Sequence, residues 1–307
     1  MQLSQPVREE NHPLLQLLIL GLSAFIGLLI FLVIGFVICL AIYGLDLIKN
    51  TAWITGNDLR YIGALKILVT AQQIGLFLVP AIVLAIFEGK KPQNFYGFKT
   101  PKPELLGLVL LLMFFSMPLM SWINEQNMNM HLPSFLSDLE KWMRKMEDDG
   151  LVTTKAILKG TSFGALAINL LVIAVTPAIC EELIFRGGLQ RTFLRMIKNP
   201  HVAIWLSAII FSTIHFQFFG FFPRMFLGAA FGYIYFWTGS LWYPAFAHFL
   251  NNGYAVVVAW HMQRNNIPIE KADEMDIAWY GYIISAILTL ALFYLVRKSG
   301  VRKSEDK

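Results

Sequence analysis

The chain has 307 residues, of which 56% are hydrophobic and only 15% charged, and its mean hydropathy is +0.58. Soluble domains carry about 25% charged residues, so this composition excludes an ordinary soluble protein and points to an all-α polytopic membrane protein. The net charge of +5 does not argue for nucleic acid, because the basic residues fall in short connectors between apolar runs, where topology determinants are expected.

Cys39 and Cys180 both lie inside apolar stretches. That argues against a structural disulfide and leaves no cysteine metal cluster. The first twelve residues are polar and the apolar run after them is too long for a signal-peptide core, so no cleavable signal peptide is expected.

A membrane-spanning helix needs about 20 mostly apolar residues. The charge-free runs are Pro13 to Leu45, Ile67 to Phe87 with a kink expected at Pro80, Leu105 to Asn124, Gly160 to Cys180, and Asn199 to Pro223. Met225 to Gln263 is too long for one span. It breaks at Thr238-Gly239-Ser240 and Pro244, giving a sixth and a seventh helix joined by a tight turn. Ile277 to Val296 completes a reading of eight spans in a single transmembrane domain covering residues 1–307.

Basic residues mark alternate connectors. Lys90, Lys91, Lys99 and Lys102 occupy the second, Arg186, Arg191, Arg195 and Lys198 the fourth, and Arg297, Lys298, Arg302, Lys303 and Lys307 the C-terminal tail. These connectors, with both termini, are expected in the cytoplasm. The seventh connector leans acidic, with Glu270, Asp273, Glu274 and Asp276.

The third connector, residues 125–159, carries Phe135, Leu139, Trp142, Met143 and Met146 at three- and four-residue steps. This spacing predicts an amphipathic helix that lies on the outer surface or caps the bundle, with a substrate gate as the alternative. Leu189, Phe193, Met196 and Ile197, interleaved with Arg191, Arg195 and Lys198, predict a second interfacial helix on the cytoplasmic side.

The chemistry concentrates in the second half. Glu181 and Glu182 end an apolar run, and an ionisable residue at membrane depth is by default a functional hypothesis. Glu182 and Arg186 are four apart and share a helix face. Glu181 is turned about 100° from Glu182, which leaves it free to face a cavity. His215 lies in the fifth run. His248 and Asn252, four apart, share a face of the seventh. Taken singly, each of these residues also fits a headgroup-level acid or an ordinary interhelical hydrogen bond. Arg224 is expected to snorkel to the outer surface. No His-Glu-x-x-His, Gly-x-Ser-x-Gly or phosphate-cradling loop is present. The polar residues are confined to one half, which disfavours an inverted-repeat transporter.

Glu181-Glu182-x-x-x-Arg186, Phe211-x-x-x-His215 and His248-x-x-x-Asn252 on successive apolar helices resemble the CAAX-protease and bacteriocin-processing (CPBP, or Abi) family, related to the CAAX prenyl endopeptidases. The resemblance covers roughly residues 165–260 and implies an intramembrane endopeptidase opening toward the cytoplasm. Its substrate would be a membrane-associated protein or peptide, and its setting the lipid bilayer. By that resemblance Glu181 activates water with His215, His248 and Asn252 stabilise the oxyanion, and Glu182 and Arg186 support the site.

Two versions of water activation stay open. In one, Glu181, His215 and His248 ligate Zn²⁺. In the other, Glu181 is a metal-free general base. The rival readings are a catalytically idle scaffold or sensor of the same family and a proton-coupled transporter. The sequence identifies neither the substrate nor an oligomeric state.

One spacing conflicts with this picture. Glu181 lies about 7 Å of helix rise from a boundary at Arg186, whereas His215 lies about 25 Å from one at Lys198. Convergence requires the fifth helix to enter late or tilt strongly, or the cytoplasmic amphipathic helix to extend past His201.

Overall fold

The computed structural model describes residues 9–268 and 277–301. Among these the structure is helical, with no strand. Glu270, Asp273, Glu274, Asp276, Arg302, Lys303 and Lys307 lie outside the described residues.

The principal helices in chain order are α1 (Pro13–Tyr43), α2 (Leu59–Phe87), α3 (Pro103–Met128), α4 (Ser137–Leu158), α5 (Phe163–Ile197), α6 (Pro200–Thr213), α7 (Phe221–Thr238), α8 (Trp242–Arg264) and α9 (Trp279–Val301). An apolar helix stands at each of the eight expected positions. Five of them, α1, α2, α3, α5 and α9, are long and apolar enough to cross a membrane, and α6 is a shorter apolar helix.

Three boundaries differ from the sequence reading, each for a local reason. α5 does not stop near Arg186. It continues unbroken to Ile197, and the expected interfacial helix around Phe193 is its last turns. The Arg186 charge did not mark a boundary because its partners are buried with it. α6 ends at Thr213, not near residue 223. Phe216 adopts a positive φ of 52° just beyond it, a left-handed turn that reverses the chain toward α7. Pro244 does not break the chain. It sits in the first turn of α8, where its missing N–H has no helical partner to lose. The break between α7 and α8 is Gly239, left-handed at φ 59°.

α1 shows lipid-facing side chains along its length, including Leu18, Phe25, Val33 and Ile42. It contacts the rest of the bundle through a small-residue seam. At Gly27 an added Cβ would stand 2.3 Å from the Gly75 carbonyl, so only glycine allows α1 and α2 to come this close. α2 contains a π-helical turn at Ile74–Leu78 just before Pro80, where the kink was expected. α6 and α7 pack tightly where Gly228 meets Phe211 and Ala208.

The connectors sort into two ends. At one end Glu10 bonds Lys90 and Arg191 and pairs with Arg195, Tyr243 bonds the Lys102 backbone, and Gly300 packs on Trp237. At the other, Asn127 bonds the Phe218 carbonyl, Glu147 accepts from the Phe219 N–H, and Gly160 donates to Gln263. α4 packs at this second end, with Trp142 against Phe218 and Arg144 over the Phe219 ring. Phe135, Leu139 and Trp142 stay exposed, while Ala156, Ile157 and Leu158 are buried in the bundle.

Candidate active site

A cavity of about 480 Å³ lies within the bundle, and its walls include Gln73, Glu181, Phe211, His215, Arg224, His248 and Asn252. Two stretches of π-type hydrogen bonding, Leu170–Val175 and Leu183–Gln190, bracket the short α-helical turn that carries Glu181 and Glu182. Such widened turns recur at functional sites because they change which face a residue presents.

Glu182 and Arg186 are both fully buried and pair at 2.9 Å, with a second contact of 3.2 Å from Nη2 to Oε1. The Arg186 guanidinium lies 5.2 Å from the centroid of the Phe211 ring and 5.8 Å from that of Phe231, so aromatic faces meet the rest of its charge. Glu182 also accepts from His248, whose Nδ1 lies 2.9 Å from Oε1. A carboxylate accepts only, so this contact holds a proton on Nδ1, and in the neutral ring Nε2 is then the acceptor.

That Nε2 faces Glu181 Oε2 across 3.9 Å. The other Glu181 oxygen accepts from Gln73 Nε2 at 2.9 Å. The neighbouring acids therefore stand in different surroundings. Glu181 lines the cavity, and Glu182 is sealed behind it by Arg186 and His248.

His215 also lines the cavity. Its Nδ1 donates to the Phe211 carbonyl at 2.8 Å, which leaves Nε2 as an acceptor. The hairpin of α5 and α6 removes the spacing conflict. Glu181 is 16 residues, about 24 Å, from the Ile197 end of α5, and the 14-residue α6 returns about 21 Å toward it. His215 regains the level of Glu181 without a late entry or a longer interfacial helix. Glu181 is thus near mid-helix, not close to a boundary at Arg186.

Asn252 is engaged differently from an open oxyanion donor. Its Nδ2 donates to the Ile173 carbonyl at 3.0 Å, and its Oδ1 accepts from Asn251 at 3.1 Å. One Nδ2 hydrogen remains. Glu181, His215 and His248 are side chains of the types that could ligate a metal. Among the described residues no cluster of three such side chains is arranged to hold an ion.

Three wall residues were missed or misread in the sequence. Gln73 sits in α2, where no motif was legible. Asn251 stands beside Asn252 but outside the three motifs. Arg224 does not snorkel: it is half-buried, lines the cavity, and donates to Gln217 Oε1 at 2.9 Å.

The cavity walls also include Asn124, Thr154, Ile157 and Gly220 from the second end, and none of the Glu10–Lys90–Arg191 end. The cavity lining therefore reaches the Asn127–Phe218 end of the bundle and not the Glu10–Lys90–Arg191 end.

No solved structure matches the chain. An uncharacterised protein of Bacillus subtilis (strain 168), YpbD, is 28% identical over 139 residues, which is 44% of this chain and 65% of that relative. The chain thus covers less than two thirds of the relative's length. Residues 163–254, which run from the start of α5 to the middle of α8 and hold every motif residue, match the family described as "Type II CAAX prenyl endopeptidase Rce1-like".

Proposed function

We propose that the chain is an intramembrane endopeptidase in which Glu181 activates a water to hydrolyse a peptide bond of a membrane-associated protein or peptide. The observation that carries this reading is the 3.9 Å gap between Glu181 Oε2 and His248 Nε2 on the cavity wall. Both atoms are acceptors in the tautomer that Glu182 holds. A separation of this size between two acceptors suits one bridging water, which has two hydrogens to give.

In the proposed reaction Glu181 takes a proton as the water oxygen bonds to the carbonyl carbon. The carbonyl oxygen becomes an oxyanion, and the free Asn252 Nδ2 hydrogen and the Asn251 amide are the donors available to it. As the C–N bond breaks, Glu181 returns the proton to the leaving amine. His215 Nε2 accepts from the water or from a substrate N–H. His248 holds the water in this scheme and does not donate to the oxyanion. Glu182 and Arg186 fix the His248 tautomer. No step is routed through a metal, because the donor set is not arranged for one. Metal analysis of the purified protein, and activity after chelation, test that choice.

The basic connectors assign the Glu10–Lys90–Arg191 end to the cytoplasm. The cavity then opens toward the extracytoplasmic side, beneath α4. An experiment in cells tests the whole reading. Cells carrying Glu181→Ala in place of the wild-type chain should accumulate an uncut membrane-associated precursor. An identical membrane-protein profile in the two strains would contradict the proposal. A transporter or scaffold would leave no such precursor.

A further inference from the structure

Arg224 is a cation in the cavity wall that the proposed chemistry does not use. Its guanidinium is held by neutral groups only. Nη1 donates to the Gln217 carbonyl at 3.3 Å and Nη2 to Gln217 Oε1 at 2.9 Å. Among the described residues no carboxylate pairs with it. Glu147, the buried acid of α4, accepts instead from the Phe219 N–H at 3.2 Å.

The backbone makes room for this arrangement. A Cβ on Gly220 would stand 2.9 Å from Arg224 Nη2, and one on Gly150 would stand 2.9 Å from Gln217 Nε2. Two glycines from different segments thus admit the guanidinium and the amide that aims it. A half-buried Arg is thus hydrogen-bonded only to neutral groups, with Glu147 and Glu181 acting on it through space and not in contact, on the same cavity that holds Glu181 and His215. A charge at membrane depth without a partner in contact is expensive, and a planar guanidinium matches a carboxylate in a bidentate pair.

We infer that Arg224 is the anchor of a carboxylate-binding subsite, which holds a substrate by a carboxylate while Glu181 addresses a peptide bond deeper in the cavity. This rests on the peptidase reading. The carboxylate comes either from a free C-terminus or from an acidic side chain, and both make the same bidentate contact.

The test uses the full chain in detergent and three apolar hexapeptides of one sequence: the free acid, the C-terminal amide, and an amide with Asp at the last position. Thermal stabilisation of the protein reports binding, and mass spectrometry of the same samples reports cleavage. The wild-type chain should bind the free acid or the Asp amide at least roughly tenfold more tightly than the plain amide. Arg224→Gln should abolish the preference, and Arg224→Lys should keep part of it.

Preference for the free acid alone assigns the subsite to the chain end, and preference for the Asp amide assigns it to a side chain. Equal binding of all three peptides, no binding of any, or a preference that survives Arg224→Gln would overturn the inference. A preference that depends on Arg224 without any cleavage would keep the subsite and count against the peptidase.

Discussion

Asn252 supplies the hydrogen bond that Ile173 cannot obtain from its own helix. The Ile173 carbonyl would ordinarily take the N–H of residue 177, which is a proline and has none. Asn252 Nδ2, from α8, fills that position at 3.0 Å. The bond pins α8 to the widened turn just before Glu181, and so sets how far His248 stands from it.

Asn252→Ala leaves that carbonyl without its donor and should destabilise the protein by about 1–3 kcal/mol. Thermal unfolding in detergent measures it. Adding Pro177→Ala to Asn252→Ala returns a backbone N–H and should recover part of the loss. An unchanged midpoint in Asn252→Ala would show that the contact carries no stability.

Glu182→Gln should be severe. It leaves the fully buried Arg186 without its counter-charge, and breaking such a pair costs about 3–5 kcal/mol. Glu182→Gln combined with Arg186→Met removes both charges and should be less destabilising than Glu182→Gln alone. Midpoints of the two variants decide the matter: equal losses would contradict a charge-pair origin. In both variants a neutral amide oxygen replaces the carboxylate that accepts from His248 Nδ1, so the tautomer is held less firmly and both should lose activity.

Gly27→Ala places a methyl group against the Gly75 carbonyl, at 2.3 Å in the present backbone. α1 must then move away from α2, which also carries Gln73. The expected result is a lower thermal midpoint by an amount typical of overpacking, about 1–3 kcal/mol. Gly21→Ala on the same helix meets nothing within 4 Å and serves as the neutral control. Equal midpoints for the two variants would contradict the close crossing.

Glu10 gives a pH signature. Burial raises its pKa, but the hydrogen bonds from Arg191 and Lys90 outweigh burial and hold the carboxyl at about 2, below its ordinary 4.5. A depressed folded-state value means that its stabilisation is complete above the unfolded value and is lost as pH falls from about 5 toward 2. Glu10→Gln should therefore melt below the wild type at neutral pH, and the difference should shrink as the pH is lowered through that window. A difference that is constant with pH would contradict the assignment.

The positions of the helices were legible because charge-free runs set them, and Glu181, Glu182, Arg186, His215, His248 and Asn252 were legible because three motifs recur in order. Boundaries were less so. Arg186 looks in sequence like a membrane edge, yet Glu182 and three aromatic rings let it lie fully buried in mid-helix. That one misreading displaced Glu181 by about a third of the length of α5 and created the spacing conflict with His215. Gln73 was invisible because a single amide in an apolar helix has no pattern. Arg224 was misread because only the left-handed turn at Phe216 and the space at Gly220 bring it inward.

The most direct test of the central claim is cleavage of one membrane-tethered peptide by purified protein in detergent. The wild-type chain should cut it, and Glu181→Ala and His215→Ala should each abolish the cut, with circular dichroism showing that both variants stay folded. Cleavage that survives both substitutions would contradict the account.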